Sequence, residues 1–114
     1  MKRLVVQSST LHGSVKIPGS KNSSLALLAA ACLADDPVVL DGVPDIADVR
    51  TFRRIAEGIG IRIDRLSPSR LSLDPRAIHS TTIDPTLASA FRTSYYFVGA
   101  LLAKYGRVAV CYPG

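Results

Sequence analysis

Residues able to bind an anion lie where a short β-branched segment gives way to a long apolar run, at Pro18-Gly19-Ser20-Lys21-Asn22. The first backbone N–H groups of a helix have no partner inside the helix, and the helix dipole is positive at that end. An anion there would contact free amides and the Lys21 ammonium. Asn22 would add a side-chain amide that both donates and accepts, as a sugar hydroxyl or amide requires. The pattern indicates recognition of a phosphate group.

The same five residues also fit an ordinary capped helix whose lysine is solvated, and the spacing alone does not separate the two interpretations. The segment lacks the Gly-x-x-x-x-Gly-Lys-Ser/Thr pattern of a Walker loop and the Gly-x-Gly-x-x-Gly pattern of a dinucleotide-binding fold. Neither nucleotide fingerprint is therefore present.

A second candidate is Arg92, within the otherwise apolar and aromatic segment from Ala90 to Phe97. An arginine in such a place either extends its guanidinium to solvent or directs its five N–H donors at a phosphate or carboxylate. The residues around Arg92 leave both possibilities open.

Composition restricts the class of protein and of partner. The chain has 114 residues, 47% hydrophobic and 20% charged, which is typical of one globular domain. Its net charge of +5 favours a polyanionic partner, either a phosphorylated small molecule, a nucleic acid or an acidic lipid surface. The tightest basic group, Arg50, Arg53 and Arg54, falls on a predicted helix where a solvated face explains it. Nucleic-acid binding is therefore not predicted.

The remaining chemistry-bearing residues do not indicate a metal or cofactor. His12 and His79 have no metal-ligand spacing, and Cys32 and Cys111 lie in apolar segments where cysteine behaves as a small buried hydrophobe. The longest apolar run, from Leu25 to Leu33, is far shorter than the roughly 20 residues needed to cross a bilayer. We therefore expect no metal, no cofactor, no membrane span and a cytoplasmic location.

Hydrophobic periodicity predicts a short strand at Leu4–Val6 and then a group of elements in the order strand, helix, strand, helix, strand, strand. The helices are expected to begin at Ser20, with burial on nearly all sides, and near Asp48, with one apolar stripe. The predicted strands are Leu4–Val6, Ser14–Ile17, Val38–Leu40 and a hairpin formed by Ile61–Asp64 and Leu71–Asp74.

A third helical stretch is predicted from Asp84-Pro85, with Lys104 in its last turn and Gly106 beyond it. Its buried side is expected to carry Leu87, Phe91, Val98 and Leu102. The chain then runs from Gly106 through a β-branched strand to Pro-Gly, as it does from Gly13 to Gly19. This hints at an internal repeat, although coincidence explains so short a pattern equally well.

A longer set of residues resembles a known family. It comprises the segment from Gly13 to Ala34, then Val43-Pro44, Asp48-Val49, Phe91-Arg92-Thr93-Ser94 and Gly106 through Gly114. In order and spacing these residues resemble the start of the UDP-N-acetylglucosamine 1-carboxyvinyltransferases, which are enolpyruvyl transferases. The specific feature is Lys21-Asn22. The related enolpyruvylshikimate-phosphate synthases continue after the lysine with a serine and a later Asn-Arg pair that this sequence lacks.

The resemblance implies an α/β fold in which strand-helix-strand-helix-strand-strand units build an inside-out α/β barrel. Residues 1–84 would form a first unit and residues 85–114 the start of a second. The implied activity is transfer of the enolpyruvyl group of phosphoenolpyruvate to the 3-hydroxyl of UDP-N-acetylglucosamine, in peptidoglycan biosynthesis for the cell wall. By resemblance, Lys21 and Asn22 contact phosphoenolpyruvate, and Asn22 and Arg92 contact the UDP-sugar.

The chain also departs from this family. Its members are several times longer, and their proton-donating cysteine follows the Pro-Gly pair that ends this chain, so Cys111 lies one strand too early. The phosphate-binding arginine after that loop and the acidic base of the other domain are also missing. We therefore expect a truncated chain with no catalytic residue of its own, which needs the remaining repeats for a complete active site and shows no turnover by itself.

Two alternatives remain open at this stage. The first is an enolpyruvyl transferase that acts on another nucleotide or on shikimate 3-phosphate. The second is a basic RNA-binding module of similar fold, which would show weak and steeply salt-dependent binding to RNA and none to UDP-sugars.

Overall fold

The computed structural model describes residues 2–90 and 95–110, with the backbone alone for residues 88–90. Helices and strands follow one another in the order α1 Lys21–Ala31, β1 Val38–Leu40, α2 Ala47–Gly58, β2 Arg62–Ser67, β3 Arg70–Asp74, α3 Pro85–Ala90 and α4 Tyr96–Tyr105. No helix within these ranges is long and apolar enough to cross a membrane. Apart from the leading strands, the order agrees with the predicted α/β unit.

The three strands form one antiparallel sheet in the order β1-β3-β2. The predicted hairpin is confirmed, since β2 pairs with β3 in a register that places Ile63 opposite Leu73. On the other edge of β3, Val38 of β1 also lies opposite Leu73. Ile63, Leu71 and Leu73 are buried, so the alternating side chains of the hairpin place one face of the sheet in the core.

The core lies between this sheet and the helices. The predicted stripe of α2 is confirmed, because Val49, Phe52, Ala56 and Ile59 are all buried. Phe52 stacks on Phe97 of α4, with ring centroids 4.4 Å apart and an angle of 20° between the ring planes. Helix α1 packs against both α2 and α4. The first helix is thereby fixed against the two helices that close the core.

The two leading strands were predicted wrongly. Residues 4–6 and 14–17 form no strand, and side chains such as Val15 and Ile17 are 84% and 80% exposed. A β-branched, alternating segment becomes a strand only when it pairs with a sheet edge and covers a core. Within the described ranges, residues 4–6 and 14–17 pair with no strand, and their side chains are exposed.

Burial of α1 on nearly all sides was also predicted wrongly. Leu25, Leu28, Ala29 and Ala31 are buried, but the opposite face is exposed at Ala26, Leu27, Ala30 and beyond the helix at Leu33. An apolar sequence allows a helix to be buried, but the number of elements that pack against the helix decides how much of its surface is buried. Here only one side of α1 has packing neighbours among the described residues.

After Asp84, the helical stretch begins and ends where predicted, but the residues buried on α4 differ from the predicted ones. The Asp84 carboxylate accepts hydrogen bonds from the amides of Thr86 and Leu87, which starts α3, and Gly106 ends α4 in the left-handed conformation at φ 75°. The buried residues of α4 are Phe97, Ala100 and Leu101, while Leu102 is half exposed and Val98 half buried. The predicted burial of Leu102 is therefore wrong, because the Phe97 ring on Phe52 sets the rotation of the helix.

Among the described residues, which stop at 110 in this segment, the strand predicted after Gly106 forms one parallel bridge, between Thr82 and Ala109. The Ala109 carbonyl accepts from the Ile83 amide at 2.9 Å, and the Ala109 amide donates to the Thr81 carbonyl at 2.9 Å. Phe91, Arg92 and Cys111, which carried other predictions, lie outside the described residues.

Lys104 ties α4 to the C-terminal end of α1, and its removal gives a stability prediction. Its Nζ donates to the Cys32 carbonyl at 3.1 Å and to the Ala34 carbonyl at 2.6 Å, in a partly buried position. Lys104→Met keeps most of the apolar stem but leaves both carbonyls without this donor. We expect urea denaturation to show a loss of about 1–2 kcal/mol in the free energy of unfolding, against less than about 0.5 kcal/mol for the exposed control Lys2→Met. Equal values for the two variants would contradict a capping role.

Candidate anion-binding site

The N-terminal end of α1 presents two backbone N–H groups without a partner. Ser20 precedes the helix in an extended conformation, and its side-chain oxygen accepts weakly from the Ser23 amide at 3.4 Å, while the Ser24 amide donates to the Ser20 carbonyl at 3.0 Å. No acceptor within the described ranges contacts the amides of Lys21 and Asn22. Both residues are exposed. Two donors are thus accessible at the positive end of the helix dipole.

The Lys21 ammonium lies between two helix N-terminal ends. Its Nζ is 3.1 Å from the Asp48 Oδ2, and Asp48 belongs to the first turn of α2. The Lys21 side chain is 52% exposed and that of Asp48 is 38% exposed. The ammonium is therefore held beside α2 and remains accessible to a ligand from solvent.

The loop that leads into α1 is held by a close backbone approach. A Cβ atom on Gly19 would overlap the carbonyl oxygen of Gly42, and it would lie 3.5 Å from the Cδ of Pro44. The segment after Gly42 is in turn tied to the hairpin, because the Val43 amide donates to the Ser69 carbonyl at 2.9 Å. Glycine at position 19 is required by this contact, which fixes where the helix begins.

A cleft of about 280 Å³ lies beside this loop. Its lining residues come from three segments, Lys16–Gly19, Gly42–Pro44 and the hairpin turn Pro68-Ser69. Its walls are mainly apolar, with Lys16 as the single charged lining residue. Gly19 therefore lines the cleft, and α1 begins two residues later in the chain.

The structure brings together only part of the predicted site. Lys21 and Asn22 are consecutive at the first turn of α1, as predicted, whereas Arg92 lies outside the described residues. Sequence analysis missed Asp48 as a neighbour of Lys21. The sequence placed Asp48 in the family resemblance and in the first turn of a predicted helix, 27 positions after Lys21. An acidic residue in a first turn is equally typical of an ordinary helix start, so it did not indicate contact with Lys21.

Cys32 is inert in its surroundings. It is buried at the end of α1, where its Sγ donates to the Leu28 carbonyl at 3.7 Å, and burial raises its pKa to about 11. A thiol with such a pKa stays protonated near neutral pH, so Cys32 acts as the small buried hydrophobe that the sequence predicts. Across residues 2–90 and 95–110, no group of three or more His, Cys, Asp or Glu side chains has an arrangement able to hold a metal ion.

Two of the three arginines of α2, Arg50 and Arg53, pair with acidic neighbours. Arg50 Nε donates to Asp45 Oδ1 at 3.0 Å, and this hydrogen bond lowers the pKa of Asp45 below its usual value. Arg53 Nε donates to Glu57 Oε1 at 2.7 Å, and its second arm donates to the Ile63 carbonyl. These contacts agree with the predicted solvated face of α2.

The fold agrees with comparisons to known proteins. The chain belongs to the EPSP synthase (3-phosphoshikimate 1-carboxyvinyltransferase) family, whose sequence model matches residues 5–114. Over its whole length it is 41% identical to UDP-N-acetylglucosamine 1-carboxyvinyltransferase 2 of Lactococcus lactis subsp. lactis, and 38% identical to UDP-N-acetylglucosamine 1-carboxyvinyltransferase 3 of Caldanaerobacter subterraneus subsp. tengcongensis. The chain spans 28% and 27% of the lengths of these relatives.

A solved structure supports the same assignment. The enolpyruvyl transferase NikO from Streptomyces tendae superposes with a TM-score of 0.73 at 26% sequence identity. The match covers 84% of this chain and 22% of that protein. The α/β fold class inferred from the sequence is thereby confirmed, as is the resemblance to the enolpyruvyl transferases.

Proposed function

We propose that this chain is part of an enzyme that transfers the enolpyruvyl group of phosphoenolpyruvate to the 3-hydroxyl of UDP-N-acetylglucosamine, a step of peptidoglycan biosynthesis. The observation that carries the proposal is the 41% identity, across all of the chain, to a relative named for this carboxyvinyl transfer. The geometry at the start of α1 supports it, since the exposed amides and the ammonium there suit an anionic substrate.

Lys21 and Asn22 are proposed to contact phosphoenolpyruvate. The Lys21 ammonium has three N–H donors and forms an ion pair with Asp48 at 3.1 Å, and the free backbone amides of Lys21 and Asn22 add further donors. Charge-assisted hydrogen bonds of this type contribute roughly 1.5–3 kcal/mol each. Micromolar binding requires about 8 kcal/mol after an association cost of at least about 4 kcal/mol, so four such bonds near the upper value are needed.

Binding of the UDP-sugar is assigned to Asn22 and Arg92. The Asn22 side chain is exposed at the second position of α1, next to Lys21. The side-chain amide of Asn22 is able to donate to and accept from a sugar hydroxyl or amide. The phosphate of phosphoenolpyruvate would bind next to it. Arg92 is included because of the family resemblance. Its guanidinium would supply two parallel N–H donors, which suit a diphosphate.

The proposal assigns no catalytic residue to this chain. Residues 1–84 would form one repeat unit and residues 85–114 the start of the next, and the remaining repeats of the enzyme would supply the proton donor and the base. General acid and base groups each contribute about 10²–10⁴-fold to the rate of such reactions. No metal or cofactor enters the proposed chemistry, and we place the enzyme in the cytoplasm as part of the same proposal.

Phosphate release with two competing acceptors tests this function. A full-length enzyme that carries this chain is mixed with phosphoenolpyruvate and either UDP-N-acetylglucosamine or shikimate 3-phosphate. We expect kcat/KM to be at least about 100-fold higher for the UDP-sugar, because a site built to pair buried polar groups rejects an acceptor that leaves them unpaired. The 114-residue chain alone should release no phosphate. A preference for shikimate 3-phosphate, or salt-dependent RNA binding without phosphate release, would overturn the proposal.

A further inference from the structure

The ion pair between Lys21 and Asp48 is not used by the proposed binding of phosphoenolpyruvate. A lysine in the first turn of a helix is disfavoured by the positive end of that helix dipole, whereas an aspartate in the first turn is favoured. Lys21 of α1 and Asp48 of α2 are these two cases, and their charged atoms are 3.1 Å apart. Asp48 therefore neutralises the cation that the proposed function assigns to the substrate anion.

Geometry sets a limit on how far an anion bound to Lys21 can lie from Asp48. A phosphate oxygen in hydrogen-bond contact with a lysine ammonium lies about 2.8 Å from its Nζ. Because the Nζ is 3.1 Å from Asp48 Oδ2, that phosphate oxygen lies at most about 6 Å from the carboxylate, if Lys21 keeps this position. This distance is shorter than the Debye length of about 8 Å at physiological ionic strength, so salt does not abolish the repulsion.

We infer that Asp48 is a specificity-determining counter-ion of Lys21, which weakens the binding of simple anions at the N-terminal end of α1. An anion without further contacts must compete with Asp48 for the ammonium and also tolerate its negative charge. A larger substrate overcomes this opposition by contacts elsewhere in the site. The inference rests on the proposed function, since that function supplies the class of ligand, a phosphorylated carboxylic acid.

Neutralising Asp48 should therefore increase anion affinity. Because both side chains are partly exposed, the repulsion is moderated by water, and we expect the dissociation constant of inorganic phosphate to fall roughly three- to tenfold in Asp48→Asn. Asparagine keeps the size of the side chain and an oxygen that can accept from Lys21. The change is therefore a change of charge at nearly constant shape.

The experiment uses the 114-residue chain and two-dimensional ¹H–¹⁵N NMR. The amides of Lys21, Asn22 and Ser23 are followed during titration with inorganic phosphate and, separately, with phosphoenolpyruvate. We expect Asp48→Asn to bind both probes more tightly than the unchanged chain. In a Lys21→Met background, the same substitution should change the dissociation constants less than twofold, because without the ammonium no contact holds the anion within about 6 Å of Asp48 and Asp48 has no cation to compete for.

Asp45→Asn is the matched control. It removes the same charge close to the start of α2, but Asp45 pairs with Arg50 and Arg65 rather than with Lys21. We expect less than a twofold change for this variant. Asp48→Ser, which also suits the first turn of a helix, replaces Asp48→Asn if circular dichroism shows that the asparagine variant does not fold.

Several results would overturn the inference. They are equal dissociation constants with and without the Asp48 charge, an equal gain in Asp45→Asn, a gain that persists without Lys21, and no response to either probe in the Asp48 variants. The acceptor assay with the full-length enzyme decides the proposed function separately. A normal preference for the UDP-sugar combined with unchanged phosphate affinity would reject the role of Asp48 alone.

Discussion

Lys21→Ala in a full-length enzyme that carries this chain should lower kcat/KM for phosphoenolpyruvate by about 10²–10³-fold. The Lys21 side chain is 52% exposed beside two helix amides that have no acceptor among the described residues, and its ammonium carries three N–H donors. Loss of two charge-assisted hydrogen bonds at about 1.5–2 kcal/mol each accounts for this factor, since 1.36 kcal/mol corresponds to a tenfold change in rate. The measurement is initial phosphate release as a function of phosphoenolpyruvate concentration.

The fold should survive this substitution. The ion pair with Asp48 is partly exposed, and pairs of this kind contribute about 1 kcal/mol or less to stability. Lys2→Ala removes the same charge from an exposed position and serves as the control, with activity expected within about twofold of the unchanged enzyme. If Lys21→Ala retained full activity in a folded enzyme, the lysine would be a solvated helix residue and no part of the substrate site.

Gly19→Ala should both destabilise the chain and reduce activity. The added methyl group would overlap the Gly42 carbonyl oxygen, which belongs to the backbone and cannot move aside as a flexible side chain does. The loop before α1 must then shift, at a cost of about 1–3 kcal/mol in the free energy of unfolding, as overpacked sites show. A displaced Lys21 would lower kcat/KM by at least tenfold, because catalytic geometry tolerates errors of only about 1 Å.

Gly99→Ala provides the matched control for this methyl group. Gly99 lies within α4, is exposed, and has open space where a Cβ would be placed. The substitution should stabilise the chain by about 0.5–1 kcal/mol, because alanine favours a helix over glycine. Urea denaturation of both variants measures the contrast. Equal stability of the two would show that the approach of Gly19 to Gly42 does not restrict position 19.

Local sequence signals were sufficient wherever short-range chemistry decides the structure. The start of α1 at Ser20, the end of α4 at Gly106 and the hairpin of β2 and β3 each depend on a few neighbouring residues, and the structure confirms all three. The apolar stripe of α2 was equally clear, since its period matches a helix with one buried face. The proposed Lys21-Asn22 pair was identified from the same kind of signal, with the family resemblance assigning it a ligand.

What the sequence did not predict depends on contacts between distant segments. The strand at residues 14–17 required a pairing partner, and the rotation of α4 depends on the contact between Phe97 and Phe52, 45 positions apart. The pairing of Lys21 with Asp48 is another contact of this kind. Periodicity describes one element at a time, so it cannot state which elements meet.

The Lys104 contact with the carbonyls beyond α1 has a consequence for the opposite end of that helix. Eleven residues of α helix form a stiff rod about 16 Å long, clamped at its trailing end by one amino group and at its leading end by the glycine contact of the preceding loop. When a helix is held at both ends, a displacement of one end moves the other end as well. We therefore expect the orientation of the leading amides to depend partly on Lys104, whose contacts lie at the opposite end of the helix.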